Sequence, residues 1–148
     1  MVSETTKLAY ELSRSALRDQ AERLSDLRTR AGTVLAAASI AGSFLAATRG
    51  ASDTLAALAL VAYLVSVGAA IYTLLPHKLT TEFRGTVLLR AAREAEATED
   101  EAYETAVKWL EHIRSGNVTT LQMLTRWYLA SALALGAEVI LWTLALTT

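Results

Sequence analysis

Three stretches of this 148-residue chain lack Asp, Glu, Lys and Arg for long enough to decide its solvent: residues 31–48, residues 54–77 and residues 127–148, the last interrupted by Glu138 alone. At about 1.5 Å of rise per helical residue, residues 54–75 reach about 33 Å and residues 31–48 about 27 Å, against a hydrocarbon core of roughly 30 Å. A buried helix of a water-soluble bundle keeps one polar face, and LAALALVAYLVSVGAAIYTLL has none. The expected fold is therefore an all-α integral membrane protein with three transmembrane helices at 31–48, 54–75 and 127–148. A long N-terminal cytoplasmic helical stem (1–30) and a helical cytoplasmic segment between the second and third spans (76–126) complete a single membrane domain. A secretory leader begins with a short basic region, whereas 30 residues that include five acids precede the first apolar run, so that run is expected to persist as a helix.

The basic residues set the orientation. Residues 1–30 hold six Lys or Arg and residues 76–126 hold seven, whereas the loop after the first apolar run holds only Arg49 and nothing basic follows Arg126. The positive-inside bias then places the stem and the 76–126 segment in the cytoplasm, with the RGASD loop and Thr148 outside. Trp127, Tyr128 and Tyr72 fall at the inner interface in this arrangement, and Trp142 toward the outer leaflet.

The cytoplasmic parts have helical periodicity of their own. Tyr10, Leu17, Leu24 and Ala31 recur every seven residues, a coiled-coil stripe, and Gly32 alone is a weak breaker, so stem and first span read as one helix of about forty residues. Pro76 ends the second span. Leu79, Phe83 and Val87, spaced by four, predict a short helix to about Ala95. Thr98 and Glu101 then have capping-box spacing at the head of another helix. That helix is expected to pack Ala102, Ala106, Trp109, Leu110 and Ile113 against the stem and to stop at Ser115-Gly116-Asn117. The acidic run over residues 94–104 suits a helix start and a solvated surface.

Glu138 stands out because a carboxyl deep in a bilayer is costly and usually faces a helix interface or a wet cavity. Twelve residues in from Arg126, it lies about 18 Å deep. The same count from Arg30 reaches Gly42 and Ser43, and from Pro76 the stretch between Tyr63 and Ser66. An intramembrane polar cluster of Glu138, Ser43, Tyr63 and Ser66 is expected. Three roles fit it: a hydrogen bond that fixes packing within one protomer, a ring of carboxyls lining an oligomeric pore, or a proton-linked switch. Small residues at spacings of three and four, Gly32, Ala36, Ser39, Ser43 and Ala47, with the pairs Ala38–Gly42 and Ala132–Gly136, predict close helix packing and a homo-oligomer.

No catalytic pattern emerges: GxSxG, HExxH, P-loop and GxGxxG are all missing, so no enzyme activity is expected. With no cysteine and only His77 and His112, neither a metal site nor a cofactor is expected, and a net charge of −1 leaves no basic footprint for nucleic acid. The expected partners are the lipid bilayer, further copies of the chain and a cytoplasmic protein.

The amphipathic stem KLAYELSRSALRDQAERLSDLRTRAGTVLAAASIAGSFLA, running into the first of two close-set membrane helices and followed by LLP and a helical cytoplasmic segment, resembles small bacterial membrane modules of the SLATT type and Pycsar-type membrane effectors. The resemblance covers roughly residues 5–115. It implies an inner-membrane effector of an antiviral defence system that oligomerises and disrupts the membrane. The third span departs from that two-helix pattern, and no nucleotide-binding domain is recognisable. An accessory or anchoring subunit of a larger membrane complex is the alternative.

Overall fold

The computed structural model describes residues 4–45, 53–77 and 98–147, and its regular structure there is entirely helical: α1 (Glu4–Leu45), α2 (Asp53–Leu74) and α3 (Glu99–Thr147). Two of these helices, α2 and α3, are long and apolar enough to cross a membrane. The expected helix on Leu79, Phe83 and Val87, the acids Glu94 and Glu96, and residues 46–48 of the first apolar stretch lie outside the described residues.

The stem and the first apolar stretch form one unbroken helix of 42 residues, as the absence of a strong breaker predicts. Its apolar half contains hydroxyls that bond back along the helix: Thr29 to the Ser25 carbonyl, Thr33 to Thr29, Ser39 to Leu35 and Ser43 to Ser39, at 2.8–3.1 Å. Such back-bonding satisfies each hydroxyl within its own helix.

The chain divides into two compact units, one of Met1–Leu24 with Lys78–Leu121, the other of Ser25–His77 with Gln122–Thr148. In the first, α1 and α3 run parallel. Tyr10 meets Tyr103 edge to face with ring centroids 5.4 Å apart. Leu17 packs on Leu110 and Ile113, and Gln20 reaches the Arg114 carbonyl and Asn117. Residues 10, 17 and 24 of α1 are seven apart, as are 103, 110 and 117 of α3, which is coiled-coil geometry. Trp109 stands apart from this core: one position before the buried Leu110, it falls on the flank of the stripe and is exposed.

α3 opens as its sequence predicts. The Thr98 amide donates to Glu101 Oε2 (2.8 Å), the Thr98 hydroxyl donates to the same oxygen (2.9 Å), and the Glu101 amide donates to Thr98 Oγ1 (3.4 Å). The expected stop at Ser115-Gly116-Asn117 does not occur; α3 runs through it for 49 residues. Glycine inside a helix costs about 1 kcal/mol relative to alanine, but the chain gains by continuing. Asn117 is buried at the next heptad position, and its side chain is engaged by Gln20 instead of capping a helix end.

The Gln20–Asn117 contact is a polar layer in an otherwise apolar seam, the device that fixes register in coiled coils while lowering stability. Asn117→Ala, which removes the partner of Gln20 Oε1, is expected to cost about 1–2 kcal/mol. The double change Gln20→Leu with Asn117→Leu should recover that loss or exceed it, as measured by thermal unfolding in detergent micelles followed by circular dichroism. The Thr98 amide and hydroxyl bonds hold the Glu101 carboxyl below its ordinary value of 4.5. A depressed carboxyl contributes stability above its unfolded pKa and loses it as pH falls through the folded one. Amide protection factors at the first turn of α3, corrected for the intrinsic pH dependence of exchange, should therefore be highest at neutral pH and fall as pH drops below about 4.5, with Glu101→Gln abolishing this dependence.

Candidate functional site

The second unit is built with its apolar bulk outward. Ala31, Ala38, Ala59, Ser66, Ala69, Ala70, Thr73, Ser131 and Ala145 are buried. Facing out are Ile40, Leu58, Leu60, Val61, Leu64, Val65, Ile71, Leu129, Leu133 (74% exposed), Val139, Ile140 and Leu144. A protein in water buries its large aliphatics and would not expose so continuous an apolar surface. Leu124 and Trp142 apart, small residues lie inside and large ones outside, the distribution expected of helices in lipid, where close backbone approach and interhelical hydrogen bonds hold the bundle.

Here α2 runs antiparallel to both of its neighbours. Against α1, the Leu75 carbonyl accepts from Arg28 Nη2 at 3.4 Å, and Tyr63 lies over Gly42. Against α3, Ala59 packs with Trp142 and Ala145, Ser66 pairs with Ser131, and Tyr72 meets Met123 and Trp127. The serine pair is reciprocal, each hydroxyl donating to the other's carbonyl at 3.0 and 2.9 Å, and both residues are wholly buried. The Thr73 hydroxyl, also buried, bonds back to the Ala69 carbonyl at 3.0 Å.

Glu138 lies on α3 between the Ser66–Ser131 rung and the Ala59–Trp142 rung. It is 0% exposed, and neither carboxyl oxygen has a hydrogen-bond partner among the described residues. One turn further on, the indole nitrogen of Trp142 is likewise buried and unpartnered. A donor and an acceptor thus lie four residues apart on one face without meeting. A carboxyl at a helix centre costs on the order of 3 kcal/mol to place in a bilayer.

The four residues expected to form one polar cluster are not joined by hydrogen bonds. Ser66 is taken by Ser131, Ser43 is exposed and bonds Ser39, Tyr63 packs on Gly42, and Glu138 is left alone. A depth count cannot supply rotation about the helix axis, and rotation separates them. Because Glu138 is covered within its own chain, a carboxyl ring lining a pore would require the helices to part.

The small residues divide by the same logic. Ala38 is buried and Gly42 makes a tight contact: a Cβ there would lie 2.8 Å from Tyr63 Cε2. Gly32, Ala36, Ser39 and Ser43 form the other face of α1, where Ala36, Ser39 and Ser43 are exposed and a Cβ on Gly32 meets nothing within 4 Å. Gly136 is also open, beside a half-buried Ala132. Ser131, Thr73 and the Arg28–Leu75 contact were not foreseen. Ser131 and Glu138 in fact continue the seven-residue spacing of Leu110, Asn117 and Leu124, a signal readable in the sequence.

No group of His, Cys, Asp and Glu among the described residues is arranged to hold a metal ion. Compared with protein-family models, curated proteins and solved structures, the chain matches none.

Gly42→Ala should cost about 1 kcal/mol, the usual scale of mild overpacking, and this loss should shrink in a Tyr63→Leu background, since the two residues are in contact. Gly32→Ala and Gly136→Ala should be neutral or stabilising by up to about 1 kcal/mol, because each fills open space on a helix. Thermal unfolding of the four single variants and the Gly42→Ala/Tyr63→Leu double in one detergent checks both statements.

Proposed function

We propose that the chain is a bacterial inner-membrane protein that works as an oligomeric membrane effector, with spans at 31–48, 54–75 and 127–148. Residues 1–30 and 76–126 lie in the cytoplasm and residue 148 lies outside. The observation that carries this reading is Glu138. An anchor gains nothing from a fully buried carboxyl without a partner in an apolar layer, whereas a protein with two helix arrangements can use one, satisfied in the second and stranded in the first. The outward small-residue face of α1 supports assembly, because close approach of a second helix backbone is what such residues permit. The 13-to-1 division of basic residues supports the orientation. The resemblance to SLATT-type and Pycsar-type modules agrees in placing an amphipathic stem before close-set spans.

An accessory or anchoring role is favoured by a different feature. Leu8 and Leu12 lie one turn apart and more than half exposed on the otherwise charged stem, a small apolar patch suited to a cytoplasmic partner.

Membrane potential, followed with a voltage-sensitive dye in bacteria after induced expression, separates the two. With equal membrane levels confirmed, the wild type is expected to collapse the potential and Glu138→Ala to spare it. An intact potential with both proteins, together with recovery of a stoichiometric partner that Leu12→Asp releases, would assign the anchoring role.

A further inference from the structure

Within the second unit, the C-terminal end of α2 gathers cations and aromatic rings from three elements. The Leu75 carbonyl accepts from Arg28 Nη2 (3.4 Å) and from His77 Nδ1 (2.8 Å). His77 stands edge-on to Tyr72 with centroids 5.1 Å apart, and Tyr72 leans on Trp127 at the same distance. The Tyr72 hydroxyl reaches Met123 Sδ at 3.8 Å. Arg30, two residues beyond Arg28 on α1, and Arg126, which precedes the exposed Trp127 on α3, are both exposed.

Two details show that this cationic group is incomplete. Among the described residues, none of Arg28, Arg30 and Arg126 has a carboxylate within ion-pair distance; the ion pair found there is Lys108–Glu104, in the other unit. Arg28 Nε is buried with no hydrogen-bond partner, although the residue as a whole remains part-exposed. A guanidinium at the edge of an apolar surface, tied on one side to a helix-end carbonyl, still presents a planar fork suited to phosphate. Immediately beyond it begin the outward aliphatic side chains, Leu75, Ile71 and Leu129 among them. A phosphodiester beside Arg28 would thus continue into acyl chains along that surface. Phenol and indole rings belong at the same headgroup level.

We propose that Arg28, beside the ring cluster of His77, Tyr72 and Trp127, forms a binding site for the headgroup of an anionic phospholipid, to which the exposed Arg30 and Arg126 add positive charge. The proposal rests on the membrane assignment above. Charge complementarity favours an anionic headgroup over a zwitterionic one, since the choline of phosphatidylcholine would add a cation to arginines that have no counterion among the described residues. Continuity with the apolar surface favours a lipid over free phosphate.

The test uses the full chain purified in a neutral detergent. Flotation with phosphatidylcholine vesicles comes first: failure to float removes the membrane assignment itself, whatever the headgroup preference. Lipid retention is then read by native mass spectrometry with phosphatidylglycerol and phosphatidylcholine in competition. The wild type should retain phosphatidylglycerol in preference, and Arg28→Gln should weaken that retention about fivefold, the usual contribution of one basic residue at an anionic surface. Arg126→Gln should weaken it in the same direction and Arg28→Lys less than Arg28→Gln, while Arg18→Gln in the first unit should leave it unchanged. Equal retention of the two lipids, or equal losses with Arg18→Gln and Arg28→Gln, would overturn the proposal. Displacement of phosphatidylglycerol by inorganic phosphate with no loss of binding strength would reassign the site to free phosphate and overturn it as a lipid site. Should Arg28→Gln fail to accumulate, the exposed pair Arg30→Gln with Arg126→Gln decides the matter. An undiminished phosphatidylglycerol preference in that variant sinks the idea.

Discussion

Backbone proximity governs the second unit, and proximity there depends on side chains being small where helices meet. Ala31, Ala38, Gly42, Ala59, Ser66, Ala69, Ala70 and Ser131 are the residues turned inward or set at the tightest contact. In the proposed membrane setting no solvent drives helices together, so the gain comes from packing and from hydrogen bonds that cross between them. The reciprocal Ser66–Ser131 pair is the clearest of these bonds, because each hydroxyl finds a backbone carbonyl on the opposite helix. A bulky residue at either position would separate the helices and break both bonds at once.

The first unit follows the opposite chemistry with the same helices. Leu17, Leu24, Leu110 and Ile113 are buried, and the charged residues of the stem face outward, as water requires. Along α3 a single position of the seven-residue repeat passes through both regimes: Tyr103, Leu110, Asn117, Leu124, Ser131, Glu138 and Ala145. Its early members are an apolar seam with one amide layer, and its later members are a serine, a carboxyl and an alanine. The periodicity is unchanged while the side chains exchange roles with the solvent.

Most of this organisation is legible in the amino-acid order. Long runs without charge mark the apolar helices, the heptad of Tyr10, Leu17 and Leu24 marks the stem seam, and Thr98 with Glu101 marks a helix start. Each is a local pattern with one physical cause. What escaped depends on partners remote in the chain. Ser115-Gly116-Asn117 has the composition of a helix end, and only the engagement of Asn117 by Gln20, 97 positions away, shows why the helix continues. Depth could be counted for Ser43, Tyr63, Ser66 and Glu138, but the faces they occupy are decided by packing. The same limit explains why Gly42 proved tight against Tyr63 while Gly32, on the same helix, faces open space.

The parallel pairing of α1 with α3 has a consequence for synthesis. Gln20 and Arg114 are 94 positions apart, so the stem emerges from the ribosome long before the segment that covers it. At roughly 5–20 residues per second, the apolar stripe of Tyr10, Leu17 and Leu24 waits on the order of 5–20 s for its partner. During that interval α2 is already made and available to α1. The natural order is thus an early helical hairpin of α1 and α2, then closure of the stem seam by the first half of α3, and last the packing of its second half on α2. A nascent chain passing through this stage offers a lone amphipathic helix to whatever lies nearby, including the same helix on a neighbouring ribosome of the same message.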